Sequence, residues 1–410
     1  MINRCRFCDK QLKYIFADLG VSPLANAYLT TEQINQMEPF FPLQAYVCEH
    51  CFLVQLPVFQ SSEEIFGEYA YFSSYSDSWL QHAKKYTESM IERFGLGIQS
   101  QVIEIASNDG YLLRNFLEKG FPVLGIEPAR NVAEAAIDIG IPTVVKFFGV
   151  QTAQELALEG KYADLLIGNN VLAHVPDVND FVKGMKAILK SQGIITMEFP
   201  HLMRLIDENQ FDTIYHEHFS YFSFTAVNRI FTHHDLRIFD VEELPTHGGS
   251  LRIYACHSKD HSKVTNERVN NLLKREEVDG FENLKFYLTF NEKVKATKRS
   301  ILNFMNKSKN EGKSIVGYGA PAKGNTLLNY CGIKKDYIDY TVDRSPYKQG
   351  YFLPGTHIPI YHPHKIRETQ PDFLIILPWN LKEEIMQQMA DIREWNGRFV
   401  TLIPEVKIYP

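Results

Sequence analysis

Four cysteines near the N-terminus constrain this chain more than any other feature. Cys5 and Cys8 form one CxxC pair, and Cys48 and Cys51 form a second. Two such knuckles bring four thiolates to one point, and four thiolates close the tetrahedral shell of a zinc ion. The 39 residues from Asp9 to Val47 exceed the usual ribbon spacing, so the loop between the knuckles holds an insertion. "VCEHCFLVQLPV" places an apolar strand directly after the second knuckle. With all four positions taken by cysteine, the zinc has no site left for substrate. Its expected role is structural, holding together a small module that lacks a large core. Disulfide or redox use is the lesser reading. The N-terminal "MINRCRFCDKQ" lacks the apolar core of a signal peptide, and no apolar run reaches membrane-spanning length, so a cytoplasmic, reducing setting is expected.

At 410 residues the chain is too long for one ordinary core. Its 45% hydrophobic and 22% charged residues describe a globular protein without long disorder. A formal net charge of −6 supplies no basic field, which argues against nucleic acid as a partner. "SWLQHAKKYTESMIERF" repeats apolar residues at helical spacing. From residue 101 strands and helices alternate. "QVIEIA", "PVLGIEP", "ADLLIGNN" and "GIITMEFP" read as strands, with helices between them, which predicts a parallel sheet covered on both faces. Residues 225–257 read as a helix and two strands, and residues 264–311 as a connector of two helices. A second strand–turn–helix unit opens at "KSIVGYGAPAKGNTLLNY". The expected fold is α/β in three parts. These are a zinc-binding module (1–66), a Rossmann-like domain (67–260), and the connector with a second Rossmann-like domain (261–410).

Two turns carry the chemistry of nucleotide-type ligands. In "VIEIASNDGYLL" a strand ends at Glu104 and a helix starts after Gly110, and Glu127 closes the next strand. A carboxylate at that distance binds ribose hydroxyls. Ala106 and Asn108 stand where glycine is common, which disfavours a pyrophosphate, since that group needs a close backbone approach. S-adenosylmethionine has no phosphates and asks less of the turn. In "LLIGNNVLAHVPD" the polar strand end, Asn169 and Asn170, can meet the same cofactor, and His174 follows. The bland alternative is a doubly wound domain with surface acids. The second turn, from Gly317 through Gly319 to Gly324, can cradle a phosphate or diphosphate, with Lys323 adding charge and Asn325 at the helix N-terminus. Its bland alternative is a loop whose glycines only close a strand–helix turn.

"YHEHFSYFS", residues 215–223, admits three readings. A metal site would use His216 and His218 but lacks an identifiable third ligand. A strand edge explains alternation but not the density of titratable groups. An acid–base site explains that density, because histidine exchanges protons near neutral pH.

Taken in order, the two knuckles, "EIASNDGYLL", "GNNVLAHVPD", "YHEHFSYFS", "HGGSLR" and "YGAPAKGNTLLNY" resemble the sugar C-methyltransferases that act on nucleotide-linked 4-keto-deoxysugars. The likeness spans nearly the whole chain. It implies that the zinc is structural, that the first α/β domain is an S-adenosylmethionine-dependent methyltransferase domain, and that the second holds the nucleotide sugar. For the cofactor it implies Glu104, Asn108, Gly110, Glu127 and Asn169, beside Ala106 and Asn170, with Phe72 and Tyr75 as further candidates. For catalysis it implies His218, Tyr215 and Glu217, with His174 and Tyr69 close by. For the substrate it implies Gly249, Ser250 and Arg252, and the loop bearing Gly319, Lys323 and Asn325. It also implies a loop at 215–218, since Tyr215, Glu217 and His218 cannot point one way from a strand. His216, His233 and His234 are read as structural or surface residues. The implied reaction adds a methyl group at C-3 of a sugar, dTDP-linked in the expected case, through an enolate, in a monomer with no nucleic-acid or membrane partner. Two other classes compete: a nicotinamide-dependent oxidoreductase or epimerase of nucleotide sugars, and a zinc-dependent nucleic-acid-binding module.

Overall fold

The computed structural model describes residues 4–66, 73–75 and 77–410. Tyr69 and Phe72 lie outside the described residues, as does the side chain of Tyr75.

Near the N-terminus, strands Tyr14–Ser22, Phe41–Val47 and Val54–Gln55 pair antiparallel. A fourth strand, Ser220–Tyr221, comes from far along the chain, with Val54 opposite Tyr221 and Gln55 opposite Ser220. The zinc module therefore pairs directly with the segment that follows the His-rich loop.

The second sheet has seven strands in the order Leu236–Leu244, Ser250–His257, Leu189–Pro200, Ala163–Asn169, Val102–Ile105, Val123–Ile126, Thr143–Val144. The last five are parallel, while Ser250–His257 runs antiparallel to Leu189–Pro200 and to Leu236–Leu244. The expected all-parallel sheet is thus mixed, because the two strands read in 225–257 form a hairpin that extends it. Helices start where the local chemistry satisfies their first N–H groups. The Asp177 side chain accepts from Asp180 N–H, and the Ser223 side chain from Ala226 N–H. The strand order reverses between Ala163–Asn169 and Val123–Ile126, on either side of Val102–Ile105. This opens a crevice at the carboxyl ends of those strands.

The connector folds as Glu267–Asp279, a short helix Leu284–Leu288, and Phe290–Asn310, so it holds three helical segments rather than two. The last buries Phe290, Val294, Ile301 and Met305, one face at helical spacing. Phe290 stacks on Phe16 of the zinc module with centroids 4.6 Å apart. The third sheet has six strands around Ile315–Tyr318, parallel except for Lys407–Tyr409. Its crevice opens between Tyr318 and the strand Phe373–Ile376.

The apolar cores do not respect the three parts. One cluster joins Cys5, Cys48, Cys51 and Leu53 to Met197 and Phe199 of the seven-stranded sheet and to Phe222. A second joins Phe16, Leu43 and Leu56 to Phe211 and Ile214, and onward to Ile315 and Leu327. Each fully buried Phe or Leu contributes roughly 1.5–3 kcal/mol. The zinc module therefore draws its stability from both neighbours as well as from the metal.

Candidate active site

The four cysteine sulfurs lie within 4.8 Å of one another, the closest pairs being Cys5–Cys51 and Cys8–Cys48 at 3.5 Å. A tetrahedral zinc at a Zn–S length of 2.3 Å sets neighbouring sulfurs about 3.8 Å apart, so the cluster fits that ion. All six cysteines are free. Among the described residues this is the one cluster of histidine, cysteine or carboxylate side chains arranged for a metal, and His216 and His218 do not form another.

The first crevice is acidic. Glu104, Asp109 and Glu127 are all buried there, and neither Glu104 oxygen has a hydrogen-bond partner. Burial, reinforced by Asp109 and Glu127, holds the Glu104 carboxyl well above the usual carboxylate range. Glu127 accepts from Asn108 N–H at 3.0 Å and from Ala129 N–H at 2.9 Å, which partly offsets a rise that burial causes. Ser107 Oγ, Asn169 Oδ1 and Asn170 Oδ1 are also buried without partners. Ser73 N–H donates to Asn108 and Ser74 N–H to Asp109, closing one side. Ala106 and Asn108 adopt left-handed φ of 55° and 50°, costing roughly 1–2 kcal/mol each, at the two positions where glycine is common. Gly110 has a φ of 76°, and a Cβ there would run into Ile141.

A crevice of buried carboxylates and unsatisfied acceptors asks for a ligand that brings positive charge and donors. S-adenosylmethionine has both, in its sulfonium, ammonium and ribose hydroxyls. The donor set fits it.

The His-rich loop is a loop, with a turn at 216–217 and His218 N–H donating to Tyr215 O. His218 Nδ1 lies 2.9 Å from the Thr213 carbonyl, so it carries the proton, and Nε2 is left as the acceptor from the Tyr215 hydroxyl at 2.8 Å. Burial first, and His174 second, depress the His218 pKa well below its ordinary value, so the ring is held neutral, as a proton acceptor must be. His174 packs edge-on at 4.8 Å between centroids, and burial lowers its pKa to about 4. Glu217 is buried, accepts from Asn26 Nδ2 at 2.7 Å, and is pushed up to about 7 by burial. His216 turns away, with Nε2 3.1 Å from the Pro42 carbonyl.

The second crevice carries the cations Lys323 and Lys348, with Asp343 beside them accepting from Ala320 N–H at 2.8 Å. Lys323 donates to Asn380 Oδ1 at 2.9 Å and sits 4.5 Å from the Trp379 ring. Asn325, 1% exposed, has no partner for either amide atom. Gly319 has a φ of 90°, and a Cβ there would meet Pro378 at 2.5 Å. Thr326 is spent on its own helix, bonded to Ala322 O. Trp379 Nε1–H donates to Asp212 at 2.7 Å, tying this crevice to the turn Phe211–Thr213 just before the His-rich loop. Burial raises Asp212 to about 6.

Gly249 precedes and Ser250 and Arg252 lie on the strand beside Leu189–Pro200, with Arg252 opposite Glu198, which is itself opposite Asn169. Ser250 Oγ bonds Thr246 O, a Cβ on Gly249 would meet Arg204, and Arg252 is paired with Glu198 at 2.6 Å and stacked 4.7 Å from Tyr86. The chain thus gathers Tyr215, Glu217, His218 and His174 together, and Arg252 into a separate ion pair. Sequence reading missed Asp109 and His247, although both sit inside quoted motifs. His247 accepts from Asn170 Nδ2 at 3.0 Å. It also missed Asn26, Asp212 and Trp379, for which no local signal exists.

Three family descriptions match successive parts of the chain. Residues 5–66 match a family described as a zinc binding domain, 79–241 a methyltransferase domain, and 245–404 the C-methyltransferase C-terminal domain. C-methyltransferase NovU of Streptomyces niveus is 35% identical over 407 residues, covering 99% of this chain and 97% of that protein. This chain belongs to the C-methyltransferase family. It is an S-adenosylmethionine-dependent enzyme with a zinc module, which replaces the nicotinamide and nucleic-acid alternatives. Other likenesses are partial. The ubiquinone biosynthesis O-methyltransferase of Bartonella tribocorum is 29% identical over 23% of this chain and 39% of its own length. The magnesium protoporphyrin IX methyltransferase of Synechocystis PCC 6803 is 14% identical with a TM-score of 0.35, covering 48% of this chain and 89% of that one. Among the described residues no helix is long and apolar enough to cross a membrane.

Proposed function

We propose that this C-methyltransferase adds its methyl group to C-3 of a nucleotide-linked 4-keto-deoxysugar, dTDP-linked in the expected case. The observation that carries the reading is the Tyr215–His218 pair. It is a neutral imidazole whose unprotonated nitrogen, set by the Thr213 carbonyl, accepts from Tyr215, on a loop that follows Asp212 and its bond to Trp379 of the second crevice. S-adenosylmethionine supplies an electrophilic methyl group, held by Glu104, Asp109, Glu127, Asn169 and Asn170. His218 Nε2 takes the C-3 proton, which the neighbouring ketone acidifies. The Tyr215 hydroxyl, released from Nε2, donates to the enolate oxygen. With S-adenosylmethionine bound, C-3 of the enolate would form the new carbon–carbon bond as the sulfur–methyl bond breaks, S-adenosylhomocysteine would be the leaving group, and the proton would pass from His218 to solvent. Lys323, Asn325 and the backbone from Gly319 hold the diphosphate. Glu217 binds a sugar hydroxyl. Both crevices and the base belong to one chain, which supports a monomeric working unit. Four free thiols at a zinc site suit a reducing cytoplasm.

The test is proton exchange. With S-adenosylhomocysteine in place of the methyl donor, the enzyme should exchange the C-3 proton of the 4-keto sugar with deuterium from solvent, read by NMR. His218→Asn should suppress exchange and methylation together by roughly a hundredfold or more. A variant that loses methylation but keeps full exchange would remove His218 as the base. Mass spectrometry of products from a panel of 4-keto nucleotide sugars identifies the substrate.

A further inference from the structure

The catalytic loop is attached to the zinc module along its length. His216 bonds Pro42 O, Leu56 N–H donates to Phe219 O at 3.0 Å, and Ser220–Tyr221 pairs with Val54–Gln55. Gln55 in turn donates from Nε2 to Cys5 Sγ at 3.2 Å and accepts from Arg6 N–H at 2.9 Å. The path from the metal cluster to the loop is therefore short and hydrogen-bonded throughout.

One attachment reaches a site residue directly. Asn26 Nδ2 lies 2.7 Å from Glu217 Oε1, and the ionised carboxylate accepts that N–H. Tyr28, two residues on, donates to the Ala320 carbonyl at 2.6 Å, and Lys348 donates to the same carbonyl at 2.9 Å. Ala320 follows Gly319 in the second crevice. Residues 26–28 thus bridge the catalytic loop and the anion loop, although they belong to neither α/β unit.

We propose that Asn26 is a positioning residue for methyl transfer, holding Glu217 in the rotamer that faces the sugar, so that the zinc module takes part in catalysis and not in stability alone. This rests on the reading that Glu217 contacts substrate. A buried carboxyl held by one side-chain amide loses its orientation when that amide goes, and a small misplacement of a substrate-positioning group can cost up to about 10²-fold in rate. The groups facing Glu217 are Asn26, the Lys348 charge, Tyr28, and His174, which bonds the Glu217 backbone. Asn26 is the strongest of the influences that lower the Glu217 pKa, ahead of Lys348, so its loss should raise that pKa from about 7. The acid limb of the rate profile should move to higher pH, because the ionised form would be reached later.

The experiment is a double-mutant cycle on the intact, zinc-loaded enzyme. It reads kcat, KM and the pH profile for Asn26→Ala, Asn26→Asp, Glu217→Gln and Asn26→Ala with Glu217→Gln. Asn26→Ala should lower kcat by roughly tenfold to a hundredfold, with the acid limb shifted up, zinc content unchanged and S-adenosylmethionine affinity unchanged. Asn26→Asp keeps the shape and removes the donor, so it should fall alongside Ala. In the Glu217→Gln background, Asn26→Ala should have no further effect, since the two act as one unit. Additive losses, or an Asn26→Asp variant with wild-type kcat and profile, would overturn the proposal and leave packing as the role of Asn26. A fully active Glu217→Gln would overturn it together with the reading of Glu217 beneath it. An impaired Glu217→Gln beside a wild-type Asn26→Ala would overturn the proposal alone.

Discussion

The two crevices of this enzyme share a topology and differ in sign. Each opens where parallel strand order reverses, and each is entered by a tight turn with a left-handed backbone. The first collects Glu104, Asp109 and Glu127 with unsatisfied acceptors, and the second collects Lys323 and Asn325 at a helix N-terminus. The first suits a cation, S-adenosylmethionine, and the second suits an anion, the proposed diphosphate. The fold sets where a ligand can sit, and a few side chains at the turn set which charge is welcome.

Reversing the sign of the second crevice should give the largest effect. Lys323→Glu is expected to weaken nucleotide-sugar binding by about a hundredfold or more, because a charge-assisted contact becomes repulsive. S-adenosylmethionine affinity should barely change. Calorimetry that finds equal losses for both ligands would break the contrast.

In the first crevice, Glu127→Ala should weaken S-adenosylmethionine by a few-fold to a hundredfold, on the order of 1–3 kcal/mol, with little effect on the sugar nucleotide. Part of that loss would come from the turn itself, since Glu127 also holds the N–H groups of Asn108 and Ala129. Ribose-modified cofactor analogues separate the two contributions. An analogue lacking the hydroxyls should lose affinity for the wild type and much less for the variant.

A smaller effect sharpens the same side. The Glu104 carboxyl is held above its ordinary value of 4.5, so the ligand-free protein is stabilised while the group is protonated and loses that stability as pH rises through the raised pKa. A bound cation favours the ionised form. The thermal shift given by S-adenosylmethionine should therefore grow with pH over this window, and a flat difference would argue that Glu104 does not face the cofactor.

Ionic strength should give the least. Added salt is expected to raise the KM for the sugar nucleotide by about two-fold and to leave that for S-adenosylmethionine nearly unchanged, since attraction of a dianionic diphosphate to lysine is screened more than binding of a ligand with little net charge.

Much of this was legible in one dimension. The CxxC spacing announced the metal site, because four thiolates at two short intervals have few other uses in a reduced protein. Strand–helix alternation announced both α/β units, and "YHEHFSYFS" drew attention to the loop on which the proposed proton transfer rests. Where local reading failed, the cause was a partner distant in sequence. The hairpin of 236–257 turned an expected parallel sheet into a mixed one by pairing with Leu189–Pro200. That pairing also sets Arg252 opposite Glu198, an ion pair that no local pattern records.

The sequence by itself determined the four-cysteine cluster, the residue types of the two turns, and the residues proposed here for proton transfer, since those depend on residue type at short spacing. The tertiary structure decided how they work together. It placed Thr213 to choose the tautomer of His218, brought Asn26 to Glu217 across 191 positions of chain, and bonded Trp379 to Asp212 across 167. A hydrogen bond has a partner only once the chain has folded, and no local pattern records a partner that far away.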